Sequence, residues 1–224
     1  MKTLIALPML LATAAVGTAC AAPEAGNAVA ATVANAANAA AVTAAKVGQP
    51  APAFELVDST GKTRSLAEFA GKTVVLEWTN HGCPFVQKHY GSGNIPSQQR
   101  DAVAGGVVWL SINSSAPGQE GHVDGAGAEQ VRARTGAAQT AYLLDPSGDT
   151  GRTYGAKTTP HMYVIDPQGV LRYAGGIDTI PSPDPADIAQ ATQLVPQALA
   201  ELAAGQPVSV PVSRPYGCAV KYAV

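Results

Sequence analysis

The stretch "TVVLEWTNHGCP", residues 73–84, constrains the chain more than any other. Val74, Val75, Leu76 and Trp78 are apolar or aromatic around a single acid, Glu77, a pattern suited to a strand covered on both faces. Pro84 follows Cys83 directly. A proline lacks an N–H and fits the first turn of a helix, so the spacing predicts a helix beginning at Pro84 with Cys83 as its N-cap. A buried strand running through a short turn into a helix needs a sheet with helices packed on it.

The rest of the chain fits an α/β fold. "ELVDSTGKTRS" reads as a hairpin turning at "DSTGK", and "GGVVWLSIN" as a second buried strand. "GAEQVRART" reads as a short helix, "AYLLD" as a strand, and "HMYVIDPQGVLRYAGG" as a hairpin turning at Pro167 to Gly169. "ADIAQATQLVPQALAELAAG" predicts a helix pair or a helix kinked at Pro196, stopping at Gly205. The tail "VPVSRPYGCAVKY" is extended and carries Cys218.

At 46% hydrophobic and 13% charged residues, the 224-residue chain has material for a core of one domain plus appendages. Its net charge of -2, without a cluster of Lys and Arg, excludes a nucleic-acid partner that must be held through its phosphates. No glycine pattern of a P-loop or dinucleotide fold occurs, so no nucleotide or other cofactor is implied. Residues 1–20 read as an export signal: Lys2 precedes the apolar "LIALPMLLATAAVG", which is too short for a membrane span. Cleavage falls before Cys20, or Cys20 is itself the lipidated first residue of a membrane-anchored lipoprotein. Residues 21–46, rich in alanine and nearly free of charge, read as a tether, and 47–224 as the folded domain. Such a chain is expected to be exported, to the periplasm.

The chemistry centres on Cys83. A cysteine reacts as its thiolate, and a helix N-terminus favours an anion through unpaired N–H groups and the positive end of the dipole. The competing reading is a buried structural cysteine. By strand alternation Glu77 points away from Trp78, either inward, where burial suits an acid to proton transfer, or outward into solvent. His81 is a candidate proton donor or substrate contact, with His89, His122 and His161 more often bystanders. Lys88 reads as a solvated helix face that could also steer an anion. Arg152 and Arg172 lie outside the candidate site. The glycine-rich residues 113–130 form a candidate lid.

"VGQPAPAFELVDSTGK" and "YGAKTTPHMYVIDPQGVLRYAGG" together resemble the thioredoxin-like superfamily, in its redoxin branch of alkyl hydroperoxide reductase/thiol-specific antioxidant and peroxiredoxin-like proteins. The resemblance implies a three-layer sandwich around a central mixed sheet, with an N-terminal hairpin extension. It implies that Cys83 is the first cysteine of a thioredoxin CxxC motif, Glu77 the buried acid and Pro160 the cis-proline facing the thiol. It also implies that Thr159, Pro84 and His81 border a substrate, with the backbone at Thr159 offering an edge to an extended chain.

Two positions depart from the family. Val86 replaces the second CxxC cysteine, and Asn80 stands where peroxiredoxins carry threonine. The resemblance implies an exported thiol oxidoreductase acting on a peroxide or a protein disulfide and recycled by an external dithiol protein. Cys218 is then a resolving cysteine or one end of a permanent bridge. Two other functions compete: copper binding through Cys83, His81 and His161, and a non-catalytic binding module.

Overall fold

The computed structural model describes residues 44–223. The export signal, Cys20 and the tether up to residue 43 lie outside the described residues. Ala45 already belongs to the domain, because its N–H donates to the Thr153 carbonyl at 3.0 Å and its side chain packs on the core.

A seven-stranded mixed sheet forms the middle layer. Its strands are β1 (Glu55–Asp58), β2 (Thr63–Ser65), β3 (Val74–Trp78), β4 (Val108–Asn113), β5 (Ala141–Leu144), β7 (His161–Ile165) and β8 (Leu171–Gly175), in the order β2-β1-β5-β4-β3-β7-β8. β3 runs parallel to β4 and β4 parallel to β5; the other pairs are antiparallel. The hairpin β1–β2 is the N-terminal extension, docked beside β5. Its turn is fixed by the Asp58 carboxylate, which accepts from the N–H groups of Thr60 and Lys62, and by Gly61 at φ 87°.

Alternation along β3 divides the core in two. Val74, Leu76 and Trp78 point to one face and join Tyr154, Tyr163, Leu110 and Ile112 under α4 (Asp149–Tyr154). There Trp78 meets Tyr163 edge-on with ring centres 5.1 Å apart. Val75 points to the other face, joining Trp109, Met162 and Val164 beneath α1 (Pro84–Gly91), α2 (Asn94–Ala104) and α5 (Leu194–Ala203). The helix α3 (Gly125–Thr135) buries only Ala128 and Val131. A second, two-stranded sheet pairs β6 (Thr158–Thr159) with β9 (Cys218–Ala219).

Sequence patterning missed α2 and α4. α2 carries Pro96 and the polar run Ser97 to Asp101, which mask its apolar face, and α4 is a single short segment. The expected kink at Pro196 is absent. α5 begins at Leu194, so the proline sits in the first turn, and the preceding residues form a separate 3-10 turn, Pro185–Ala189. Gly205 ends the helix region at φ 69°.

Candidate functional site

Strand β3 delivers the chain into a tight turn. The Thr79 N–H donates to the Ile112 carbonyl, and the Asn80 side chain accepts from the Gly82 N–H at 2.8 Å. Cys83 then caps α1 with extended backbone, φ -72° and ψ 124°, and Pro84 opens the helix. The thiol is 1% exposed, and its Sγ donates to the Thr159 carbonyl at 3.1 Å. The Thr159–Pro160 peptide bond is cis. The sulfur is therefore both at a helix mouth and enclosed.

The C-terminal segment supplies the enclosure. β9 pairs antiparallel with β6, with Thr159 opposite Cys218 and Thr158 opposite Ala219. The Cys218 thiol lies beside Cys83; burial and the nearness of Cys83 and Glu120 push it up to about 12. Both cysteines are free thiols, Cys83 buried and Cys218 half-buried. Gly217, at φ 123°, has no room for a side chain: a Cβ would lie 2.0 Å from the Thr159 carbonyl oxygen. The backbone edge at Thr159, expected to stand open to a substrate, is thus already paired by the chain's own tail.

Two sets of contacts fasten that tail on either side of Cys218. Before it, the Tyr216 hydroxyl donates to Asp178 and lies 3.2 Å from His89 Nε2. Asn94 Nδ2 lies 2.8 Å from His89 Nδ1, an arrangement satisfied when Nδ1 accepts and a neutral imidazole donates from Nε2 to Tyr216. Burial, opposed by Asp178 and reinforced by Lys88, brings His89 down to about 4. Lys88 Nζ lies 3.8 Å from Asp178, and both side chains are fully buried, so Lys88 is a buried counter-charge and not a solvated helix face. After Cys218, the Val220 N–H donates to the Lys157 carbonyl, and the Lys221 carbonyl accepts from Ala116. The Tyr222 hydroxyl donates to the Ala156 carbonyl, and the Arg152 guanidinium lies 4.5 Å above the Tyr222 ring.

The loop before α3 closes the third side. Asn80 Nδ2 donates to Glu120 Oε2 at 3.0 Å, and a Cβ on Gly82 would fall 1.9 Å from Glu120 Oε1. Trp78 anchors the loop's start by donating from Nε1 to Ser114, which in turn donates to Asp145 at 2.6 Å. The candidate lid is shorter than residues 113–130, because α3 begins at Gly125.

Glu77 lies inside, fully buried, on the α1–α2 face. It accepts from Tyr90 on one oxygen and from Trp109, Ser111 and Gln99 on the other, at 2.8–3.2 Å. Loss of hydration raises its pKa, and these four donors oppose the rise. The acid ties both helices to the sheet, and none of the hydrogen bonds joins it to Cys83. His81 is half-buried, its carbonyl accepting from Gln87 and its Nδ1 without a partner. His161 is buried against Tyr163, whose hydroxyl lies 3.1 Å from His161 Nδ1, and burial brings the ring down to about 4. Cys83, His81 and His161 do not converge; among the described residues no three His, Cys, Asp or Glu could hold a metal ion. His122 faces the Ser115 carbonyl within the loop, and Arg172 is paired with Asp166. Tyr216, Asp178 and Glu120 were not singled out in the sequence. Each gains its place from a partner distant along the chain, and only the "YGC" beside Cys218 gave a local hint.

A model of the AhpC/TSA family matches residues 47–174. The fold is thioredoxin-like. An uncharacterized conserved protein from Geobacillus kaustophilus superposes with a TM-score of 0.68 at 24% identity, over 80% of this chain and 93% of its own. A hypothetical protein from Sinorhizobium meliloti does so with a TM-score of 0.66 at 24% identity, over 81% and 97%. The thioredoxin domain of a thiol-disulfide oxidoreductase from Bacteroides vulgatus gives 0.45 at 21% identity, over 56% and 85%. No curated protein matches the chain.

Proposed function

We propose that this chain, which belongs to the AhpC/TSA family, is an exported thiol oxidoreductase with Cys83 as nucleophile and Cys218 as resolving cysteine. The single observation that supports this most is the nearness of the two thiols: Cys83 Sγ donates to the Thr159 carbonyl, and Thr159 lies opposite Cys218 in the β6–β9 pair, although the cysteines are far apart in sequence. Val86 removes the near partner that a CxxC helix turn would supply, and the tail brings another.

In the proposed cycle the Cys83 thiolate attacks a peroxide oxygen and the O–O bond breaks; the hydroxide or alkoxide expelled takes a proton from solvent and leaves as water or an alcohol, and Cys83 is left as a sulfenic acid. Cys218 then attacks the Cys83 sulfur, expelling water and forming the disulfide. With a disulfide as oxidant, Cys83 displaces one thiol and Cys218 displaces the second. An external dithiol protein reduces the Cys83–Cys218 bond by attack at Cys218, the half-buried sulfur, with Cys83 as the leaving thiolate, and is itself oxidised. Thr159 and Pro160 hold the thiol through the Thr159 carbonyl, while Pro84 and His81 flank the cap.

Stopped-flow mixing of the reduced protein with hydrogen peroxide or hydroxyethyl disulfide tests the proposal. Loss of thiol faster than for free cysteine, abolished by Cys83→Ser, is expected. A rate no faster than free cysteine with either oxidant contradicts it.

A further inference from the structure

The tail does more than carry a second sulfur: it occupies the surface on which an extended polypeptide would dock. An extended chain binds a sheet edge by pairing its backbone with exposed N–H and C=O groups. Here the Thr158–Thr159 edge is paired with Cys218–Ala219, Thr159 is 2% exposed and Cys83 1%. We propose that β9 makes this a site for small oxidants and closes it to polypeptide disulfides. The inference rests on Cys83 being the nucleophile, as proposed above.

The closure is built from three independent contacts. Gly217 presses backbone to backbone against the Thr159 carbonyl, an approach that any side chain would break. Tyr216 is latched to His89 and to Asp178, whose ion-pair partner Lys88 lies on the same helix that Cys83 caps. Val220 and Lys221 bridge the tail to Lys157 and to Ala116 of the loop. A water-sized oxidant needs only a local opening among these contacts, whereas a polypeptide must displace the strand and recover the cost of all of them.

The reduced Cys83–Cys218 pair gives two electrons to a disulfide R–S–S–R, which leaves as two thiols while the protein disulfide forms. The test compares rate constants for hydroxyethyl disulfide and for a disulfide-linked pair of extended decapeptides. The wild-type chain is expected to favour the small reagent strongly. Gly217→Ala keeps both cysteines but wedges β9 from the edge. It is expected to cut that preference about tenfold, mainly by raising the peptide rate, the change that roughly 1.4 kcal/mol of lost strand pairing yields.

Tyr216→Phe loosens the latch and is expected to give a smaller shift of the same sign. In both variants the Val220 N–H should exchange faster with solvent while the amides of β7 stay protected, which separates local release from unfolding. Equal wild-type rates for peptide and small disulfide overturn the inference, as does an unchanged ratio in Gly217→Ala; either leaves the oxidoreductase reading standing. A wild-type chain that oxidises with neither reagent, nor with peroxide, removes both.

Discussion

Cys83 and Cys218 meet from opposite kinds of structure. Cys83 sits where a fully buried strand turns into a helix, on backbone held by local hydrogen bonds to Asn80 and by a proline in the first helical turn. Cys218 sits on a two-residue strand whose place depends on contacts made elsewhere, with Asp178, His89, Lys157 and Ala116. One sulfur is positioned by the scaffold, the other by attachments to it. Substitutions in the scaffold should therefore cost stability, and substitutions in the attachments should change the partnership of the sulfurs while the fold persists.

The sharpest contrast is expected from Glu77→Leu. It leaves the buried Trp109, Gln99, Ser111 and Tyr90 donors without their shared acceptor, and buried groups stripped of a partner cost about 1–3 kcal/mol each. Some will find other partners, so a loss of about 3–5 kcal/mol by urea unfolding is expected. Glu77→Gln should recover most of it, because its carbonyl can accept from the three donors on one side while its amide donates to Tyr90.

Cys218→Ser should leave stability nearly intact and lower turnover by about a hundredfold or more, since a held second thiol acts at an effective concentration that free thiols do not reach. Oxidised Cys83 should then accumulate as a sulfenic acid or a mixed disulfide, visible by mass. Turnover unchanged in Cys218→Ser would erase the distinction between the two sulfurs.

Tyr216→Phe keeps the ring, which meets Phe85 edge-on at 5.8 Å, but deprives Asp178 and His89 of a hydroxyl. A loss of about 1–2 kcal/mol is expected, with faster exchange of the Val220 amide as the larger symptom.

A further test is the pH dependence of stability, in which His89 represents the attachment and His161 the scaffold. His89 and His161 are held neutral, each near 4 in the folded chain against an ordinary 6.5. A depressed pKa gives stability that is present above 6.5 and lost as the pH falls toward 4, because the unfolded chain takes up protons that the folded chain refuses. Each histidine accounts for at most about 1.4 kcal/mol per pH unit in that window. Glu77 acts with the opposite sign, its stabilising share being present below 4.5 and lost as the pH rises through its raised value. Urea midpoints between pH 4 and 7 measure the sum, and His89→Gln should flatten the acid limb.

The same contrast explains what the sequence made legible. The strand Val74–Trp78, the cap at Cys83 and the helix from Pro84 follow from adjacent residues, because burial on both faces, a cap and a proline at the first helical position are local signals. The inward side of Glu77 was one of two options until Trp109, Ser111 and Gln99 were placed around it. Lys88 looked solvated because nothing near it in sequence announces Asp178. The open edge at Thr159 was expected from family resemblance; the strand covering it comes from residues near the far end of the chain. Local chemistry marked Cys83 as the candidate nucleophile, while its enclosure came from pairings that no periodicity encodes.

On this proposal Cys83 and Cys218 act as one redox pair. Peptide mass mapping of the protein after one equivalent of hydrogen peroxide, with free thiols blocked by an alkylating agent, tests it most directly. The expected result is a single species with Cys83 and Cys218 linked, reverting to two free thiols on adding a dithiol. Oxidised Cys83 beside a fully alkylated Cys218 would contradict it.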